Sequence, residues 1–267
     1  MTSTDPVSGI AGAIHQRHQR RGFGIDVGGS GIKGGIVDLD TGQLIGDRIK
    51  LLTPQPATPS AVAKTIAEVV NGFGWTGPLG VTYPGVVTHG IVHTAANVDK
   101  SWIGTNAHDV ISAELAGQDV TVLNDADAAG LAEERYGAGK EQSGLVILLT
   151  FGTGIGSAVI HNGTLIPNTE LGHLEVGGKE AEQRAASSIK ERKGWSYPRW
   201  TKEVTRVLVA IENALWPDLF IVGGGISRKA DKWVHLLENR TPVVSATLQN
   251  AAGIVGAAMA STTDVTH

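Results

Sequence analysis

The stretch GFGIDVGGSGIKGGIV, residues 22–37, sets the reading of everything around it. Its ends, Gly22–Ile25 and Gly34–Val37, are patterned as strands, and the run Asp26–Lys33 turns the chain between them. Gly29, Gly31 and Gly34 satisfy the G-x-G-x-x-G spacing of a dinucleotide site, but that fingerprint opens a helix and here a strand follows. The Gly-Lys-Ser/Thr ending of a Walker A loop is missing too. What remains is a hairpin whose backbone lies open to a phosphate chain. Gly28, Gly29, Ser30, Gly31 and Lys33 would supply donors, and Asp26 a carboxylate near a metal ion. A plain hairpin turn is the alternative, yet four glycines and a lysine exceed what a turn requires.

The unit recurs downstream. Leu145–Thr150 reads as an apolar strand, Phe151–Gly156 as a glycine-rich turn and Ser157–His161 as another strand. Gly152, Thr153 and Gly154 then form a second nest of backbone N–H groups. Gly223–Gly225 lies between a strand at Leu219–Val222 and a helix near Lys229–Leu237, and offers a third contact through Gly224. Further strands are expected at Gln43–Lys50, Leu79–Tyr83, Ile91–His93 and Val120–Asn124. Helices are expected from about Ser60 to Val70, from Asn124 to Tyr136, over Glu180–Arg192 and Arg199–Trp216, and at Ala251–Ala260. Hairpins leading into βα units imply α/β lobes with mixed sheets. The expected division is a disordered tail over residues 1–21, a small lobe over 22–137, a larger lobe over 138–250, and a closing helix and tail over 251–267.

The bulk composition narrows the classes. The 267 residues are 41% hydrophobic and 18% charged, enough apolar material for real cores. There is no Cys, which excludes disulfides and thiolate metal sites. A net charge of −4 provides no global field for nucleic acid or anionic lipid, so neither a nucleic-acid nor a membrane partner is expected. The apolar part of the N-terminal stretch, Val7–Ile14, is short and broken by two Gly, unlike a secretion signal. A cytoplasmic location is the expectation.

Three groups of residues bear on chemistry. Asn124-Asp125 stands where a strand opens into a helix, so Asp125 reaches a cleft edge where it could take a hydroxyl proton. Taken alone, the pair reads more readily as an ordinary helix cap. Glu170 and His173, three apart in a Gly-flanked loop, suit vicinal sugar hydroxyls, which both donate and accept; a solvated loop with a structural His is the alternative. Lys190, Arg192, Lys193, Arg199 and Lys202 face one acid, Glu191, with Trp195, Tyr197 and Trp200 interleaved. That patch suits a polyphosphate chain through counterion release, or else is a solvated helix end.

In order, Asp26–Lys33, Asn124-Asp125, Gly152–Gly156 and Glu170-Leu-Gly-His173 resemble the hexokinase/actin superfamily. Within it they are similar to the bacterial sugar-kinase branch called the repressor–open-reading-frame–kinase (ROK) family, over roughly residues 22–260. The resemblance implies a two-lobed actin-like ATPase fold (ribonuclease H-like) with mixed sheets and an inter-lobe cleft. It implies Asp125 as the base for a hexose 6-hydroxyl, and Asn97, Asn124, Glu170, His173 and Glu182 as sugar contacts. It also implies Mg²⁺ beside Asp26, held through water, and a homodimer. The runs LTFGTGIG (149–156), PNTELGH (167–173) and IKERKGWSYPRW (189–200) resemble an actinobacterial branch that takes phosphate from inorganic polyphosphate or ATP and gives it to glucose or mannose. Many family members carry a Cys-rich zinc motif between His173 and Glu182; here Val176-Gly-Gly-Lys179 replaces it, and no zinc is expected. A sugar-responsive repressor of the same family would need a helix-turn-helix module, which 21 residues ahead of Gly22 cannot supply. A filament-forming actin relative and a strictly ATP-dependent glucokinase are the other rivals.

Overall fold

A computed structural model describes residues 20–262. The expected N-terminal tail lies outside the described residues except for its last two, and Arg21 already belongs to the first strand. In chain order the first half runs β1 (Arg21–Gly28), β2 (Gly31–Asp38), β3 (Gln43–Leu51), α1 (Pro59–Gly72), β4 (Leu79–Tyr83), the hairpin β5 (Val87–Thr88) and β6 (Ile91–Val92), α2 (Ala107–Glu114), β7 (Val120–Asn124) and α3 (Asp125–Tyr136). The second half runs β8 (Leu145–Phe151), β9 (Ile155–His161), β10 (Thr164–Ile166), α4 (Ala181–Ala185), α5 (Ser187–Arg192), α6 (Tyr197–Leu215), β11 (Leu219–Gly223), β12 (Val243–Ser245) and α7 (Ala252–Ala260).

The echo in the sequence becomes a repeated sheet. The first has the order β3-β2-β1-β4-β7 and the second β10-β9-β8-β11-β12. Each is an antiparallel three-strand meander continued by two parallel strands. Helices α1 and α2 bury Val62, Ile66, Val69, Val70 and Ile111 against one face of the first sheet. Trp200, Val204 and Leu208 of α6, with Trp233 and Phe151, fill the outer face of the second.

Between the sheets lie two helices that have changed sides. α3 leaves the first sheet and packs on the second, where Ala129 joins Val146, Leu148 and Ala158. α7 ends the second half yet packs on the first sheet, with Ile254, Val255 and Ala258 beside Val37 and Leu39. The approach is close enough to need glycine: a methyl at Gly80 would strike the Ala257 carbonyl, and one at Gly256 the Ala128 carbonyl.

Three expectations are corrected. The hairpin turn is shorter than Asp26–Lys33. β1 and β2 zip up to Gly28 and Gly31, with Asp26 directly opposite Lys33, because alternating apolar residues there (Ile25, Val27, Ile32) are buried. The helical region Glu180–Arg192 breaks at Ala186, whose φ/ψ of −55°/148° is extended. The Ser187 and Ser188 hydroxyls donate to the Gly152 and Thr153 carbonyls, at 3.0 and 2.7 Å, and so redirect the chain. Instead of an α-helix near Lys229–Leu237 there are two 3-10 segments, Gly225–Lys232 and Val234–Leu236, anchored by buried Trp233.

Candidate active site

The abrupt passage from β7 into α3 fixes the central carboxylate. Asn124 Oδ1 accepts from the amides of Ala126 (2.8 Å) and Asp127 (3.1 Å), while its Nδ2 donates to the Gly85 carbonyl (3.1 Å). Its side chain is therefore first a helix cap, and any contact with a sugar falls to the remaining Nδ2 hydrogen. Asp125, the next residue, is exposed to the cleft, yet protein from both halves crowds its carboxyl. That enclosure raises its carboxyl to about 6, with a further push from the Asp26 charge and a smaller one from Glu170.

Two cavities meet at Asp125. One, of roughly 360 Å³, is lined by Gly85, Thr94 and Asn97 on one side and by residues 152–156, Glu170, His173 and Glu182 on the other. The second, of roughly 230 Å³, runs from Asp26 and Lys33 past Gly223–Gly225 to Arg228, Gln249 and Asn250. Asp125, Thr150 and Gly224 line both. A third hollow adjoins Gly152, Thr153 and Gly225 and carries Lys190, Ser188 and Lys229 on its walls.

In the second cavity Asp26 Oδ2 lies 3.0 Å from Lys33 Nζ, and Oδ1 accepts from the Thr82 hydroxyl at 3.3 Å. Gly253, in the first turn of α7, leaves no room for a side chain beneath Oδ1, so the positive end of that helix faces the carboxylate. With both oxygens of Asp26 engaged and Asp125 opposite, an all-oxygen, net-negative donor set fits Mg²⁺ held through water. Gly28 and Gly31 stay in the β-ladder, and Gly28's carbonyl accepts from the Thr53 hydroxyl. The exposed hairpin tip is Gly29-Ser30, with Gly29 beside Asn97. In the other glycine turn, the Gly152 amide donates to the Gly154 carbonyl (3.0 Å), which leaves Thr153 and Gly154 as the amides to consider.

The acids lining the first cavity are coupled. Glu170 Oε2 is 3.8 Å from His173 Nε2, and His173 Nδ1 is 3.5 Å from Glu180 Oε1. Partial burial raises Glu170, His173 lowers it and Glu182 raises it again. Glu182 Oε2 accepts from the Ile155 amide at 3.4 Å, and fills the space beside Gly154. His173, Glu180 and Glu182 bring ligand atoms within 4.8 Å of one another, an imidazole-carboxylate group at the mouth of the loop between His173 and Glu180.

The loop over residues 176–179 has its own support. Val176 N–H donates to the Lys179 carbonyl at 2.8 Å, across Gly177 and Gly178, which both have positive φ. Arg184 donates to the carbonyls of Val176 and Gly177, and its Nη1 meets Glu203 at 2.7 Å. Glu203 also receives Arg199 and Arg206. Arg199 is thus tied into this network and is not a free member of the basic patch. Trp200 likewise is core, its indole bonded to the Ala185 carbonyl at 2.9 Å. Lys190 stacks on Tyr197, and Lys193 on Trp195. Arg192 is exposed at the end of α5.

Sequence reasoning overlooked Asp127 and Asn168. Asp127 is fully buried; its Oδ2 accepts from the Asn168 amide at 2.7 Å, and its Oδ1 has no partner among the described residues. Burial, chiefly, raises its carboxyl to about 7. The only signal for it was an acid two residues after Asp125, which any helix start could carry.

Paired sheets of one strand order, with a carboxylate between two cavities at their junction, define the actin-like ATPase fold of sugar kinases. The chain belongs to the ROK family, whose model matches residues 22–186. It is 83% identical over 268 residues, covering 100% of both chains, to the polyphosphate glucokinase of Mycobacterium tuberculosis (strain CDC 1551 / Oshkosh). Against the polyphosphate glucokinase of Mycobacterium leprae (strain TN) it is 80% identical over 99% of this chain and 81% of that one. The crystal structure of the inorganic polyphosphate/ATP-glucomannokinase from Arthrobacter sp. strain KM superposes with a TM-score of 0.84 at 52% identity, covering 90% of this chain and 97% of that chain.

Proposed function

We propose that this protein transfers the terminal phosphoryl group of inorganic polyphosphate or ATP to the 6-hydroxyl of glucose, and accepts mannose as well. The observation that carries the reading is that Asp125 borders both cavities at once. A hexose in the first cavity, held by Asn97, Glu170, His173 and Glu182, presents its hydroxyl to Asp125. The donor's terminal phosphates lie along the second, by Lys33 and Gly224, and reach the amides of Thr153 and Gly154 where it joins the first. Asp125 takes the hydroxyl proton, the sugar oxygen bonds to the terminal phosphorus, and the bond from phosphorus to the rest of the donor breaks. Mg²⁺ near Asp26, when bound, neutralises phosphate charge. The two halves, residues 22–137 and 138–250 with α7 returning to the first, act as closing lobes that keep water from the donor. By family resemblance the protein is a cytoplasmic homodimer that needs no nucleic acid or membrane.

Glucose phosphorylation with Mg²⁺, assayed separately with ATP and with long-chain polyphosphate, tests this reading. Product with either donor supports the kinase, and none with both, from folded protein, overturns it.

Two further results are expected. Asp125 works as a base only when ionised, and its carboxyl is raised to about 6. kcat/KM should therefore fall as pH drops through about 6, and Asp26→Asn should move that limb to lower pH by removing the neighbouring charge. A profile flat from pH 5 to 8, measured with a donor whose ionisation is controlled, would contradict the assignment. Replacing Lys190, Arg192 and Lys193 together by Gln should raise KM for polyphosphate on the order of tenfold and steepen nothing for ATP, since short donors end before the patch. Equal losses with both donors would remove the patch from the donor path.

A further inference from the structure

Asn168 joins three parts of the molecule. Its backbone N–H donates to Asp127 in the first turn of α3 at 2.7 Å. Its side chain pairs with the backbone of Val87 as a neighbouring strand would: Oδ1 accepts from the Val87 amide at 3.0 Å and Nδ2 donates to the Val87 carbonyl at 2.8 Å. Asn168 itself lies in the loop after β10 of the second sheet, two residues before Glu170. Val87 opens the β5–β6 hairpin of the first half, just after Gly85 in the wall of the hexose cavity. The residues on either side of Glu170 are tied the other way: the Ser157 hydroxyl of β9 donates to the Thr169 carbonyl and accepts from the Leu171 amide.

We infer that Asn168 is a positioning residue for hexose capture, a clasp that holds the Glu170–His173 loop of one half against the Val87 hairpin of the other, with Asp127 as its fixed pivot. The inference rests on the proposed hexose site and adds a group that touches no substrate. Its backbone supports a dedicated role. Asn168 has φ of 56°, a left-handed conformation that Asn tolerates and most residues do not. The conformation turns both the amide and the side chain toward the first half, so one residue serves both bonds. Asp127 is buried with no other donor on Oδ2, which makes the Asn168 amide the group that satisfies it. Breaking the side-chain half of the clasp frees the loop to swing with the second half alone. Glu170 and His173 would then meet the sugar in fewer of the molecules, which weakens capture without altering the base.

Asn168→Gly isolates the clasp, because glycine keeps the left-handed backbone and the amide bond to Asp127 while removing both bonds to Val87. Glucose binding to the full chain, measured by calorimetry without any donor, should weaken on the order of tenfold, the scale of two lost hydrogen bonds at a cleft. In turnover the same variant should raise KM for glucose and leave kcat and the donor KM within about threefold. Asn168→Asp, which keeps the acceptor for the Val87 amide but loses the donor to its carbonyl, should fall between. A wild-type protein that binds glucose and a glycine variant that binds it equally well overturns the clasp alone; a wild-type protein that binds no hexose overturns the clasp together with the hexose site. If the glycine variant does not fold, amide exchange in the wild-type protein decides. Glucose should slow exchange at Val87, and an unchanged rate overturns the inference.

Discussion

Asp125→Ala should retain its fold and lose turnover by roughly 10²–10⁴-fold or more with either donor, the range that removal of a positioned general base produces. The structure separates the two effects. The start of α3 is held by Asn124, whose side chain bonds the Ala126 and Asp127 amides, and this cap does not involve the Asp125 carboxylate. Removing that carboxylate also relieves its repulsion with Asp26 and Glu170. The variant's melting temperature should accordingly equal or exceed that of the parent, and glucose should still bind. Steady-state rates beside a thermal melt make the check. Turnover within a few-fold of the parent would remove Asp125 from the chemistry, whatever the melt shows.

Glu133→Ala should have the largest effect on stability of any single change in the cleft wall. Glu133 is completely buried at the end of α3. Oε2 accepts from the Ala138 amide (2.9 Å), the Thr247 amide (3.0 Å) and the Thr247 hydroxyl (3.2 Å), and Oε1 accepts from the Leu248 amide (2.7 Å). Ala138 lies where the chain passes into the second half, and Thr247-Leu248 where it comes back toward α7. One carboxylate therefore closes both crossings. Truncation strands three partly buried backbone donors at once, and a loss of about 3–5 kcal/mol is expected. For a chain of this size that amounts to a fall in Tm of roughly 10 °C or more. Chemical denaturation of Glu133→Ala and Glu133→Gln together would show it, with Gln keeping part of the network. A loss below about 1 kcal/mol in the alanine variant would mean that water replaces the carboxylate at both crossings.

What could be read from residues alone was what is local. β7 and α3 are bounded where expected because an apolar run ends in Asn124-Asp125, a cap that acts over three residues. The repeated hairpins declare themselves through glycine between β-branched runs. From there the resemblance placed Asn97, Glu170, His173 and Glu182 around one cavity with Asp125. The features that escaped depend on distant partners. α2 buries only Ala107 and Ile111, too few for a periodic signal. β12 is three partly buried residues that become a strand by pairing with β11. Ala186 is extended because the residues after it bond to a turn 35 positions earlier. Asp127 and Asn168 are 41 residues apart, and nothing nearby in the chain announces that they meet. The basic patch was legible as charge but not as geometry, since Arg199 is claimed by Glu203 and Trp200 by the core.

The exchange of helices between the sheets also governs how the chain is made. The inner face of the first sheet is completed by α7, whose Ile254, Val255 and Ala258 come more than a hundred residues after β7. A ribosome that has finished β7 has produced every strand of that sheet but not its cover, and more than a hundred residues must still emerge before the cover arrives. Native closure of the N-terminal half is thus a late, long-range event, even though its strands are mostly sequence neighbours. Until then Val37 and Leu39 remain open to water or to a chaperone. A stop codon placed before α7 would consequently unmake the sheet of β1–β4 and β7, which was translated long before it.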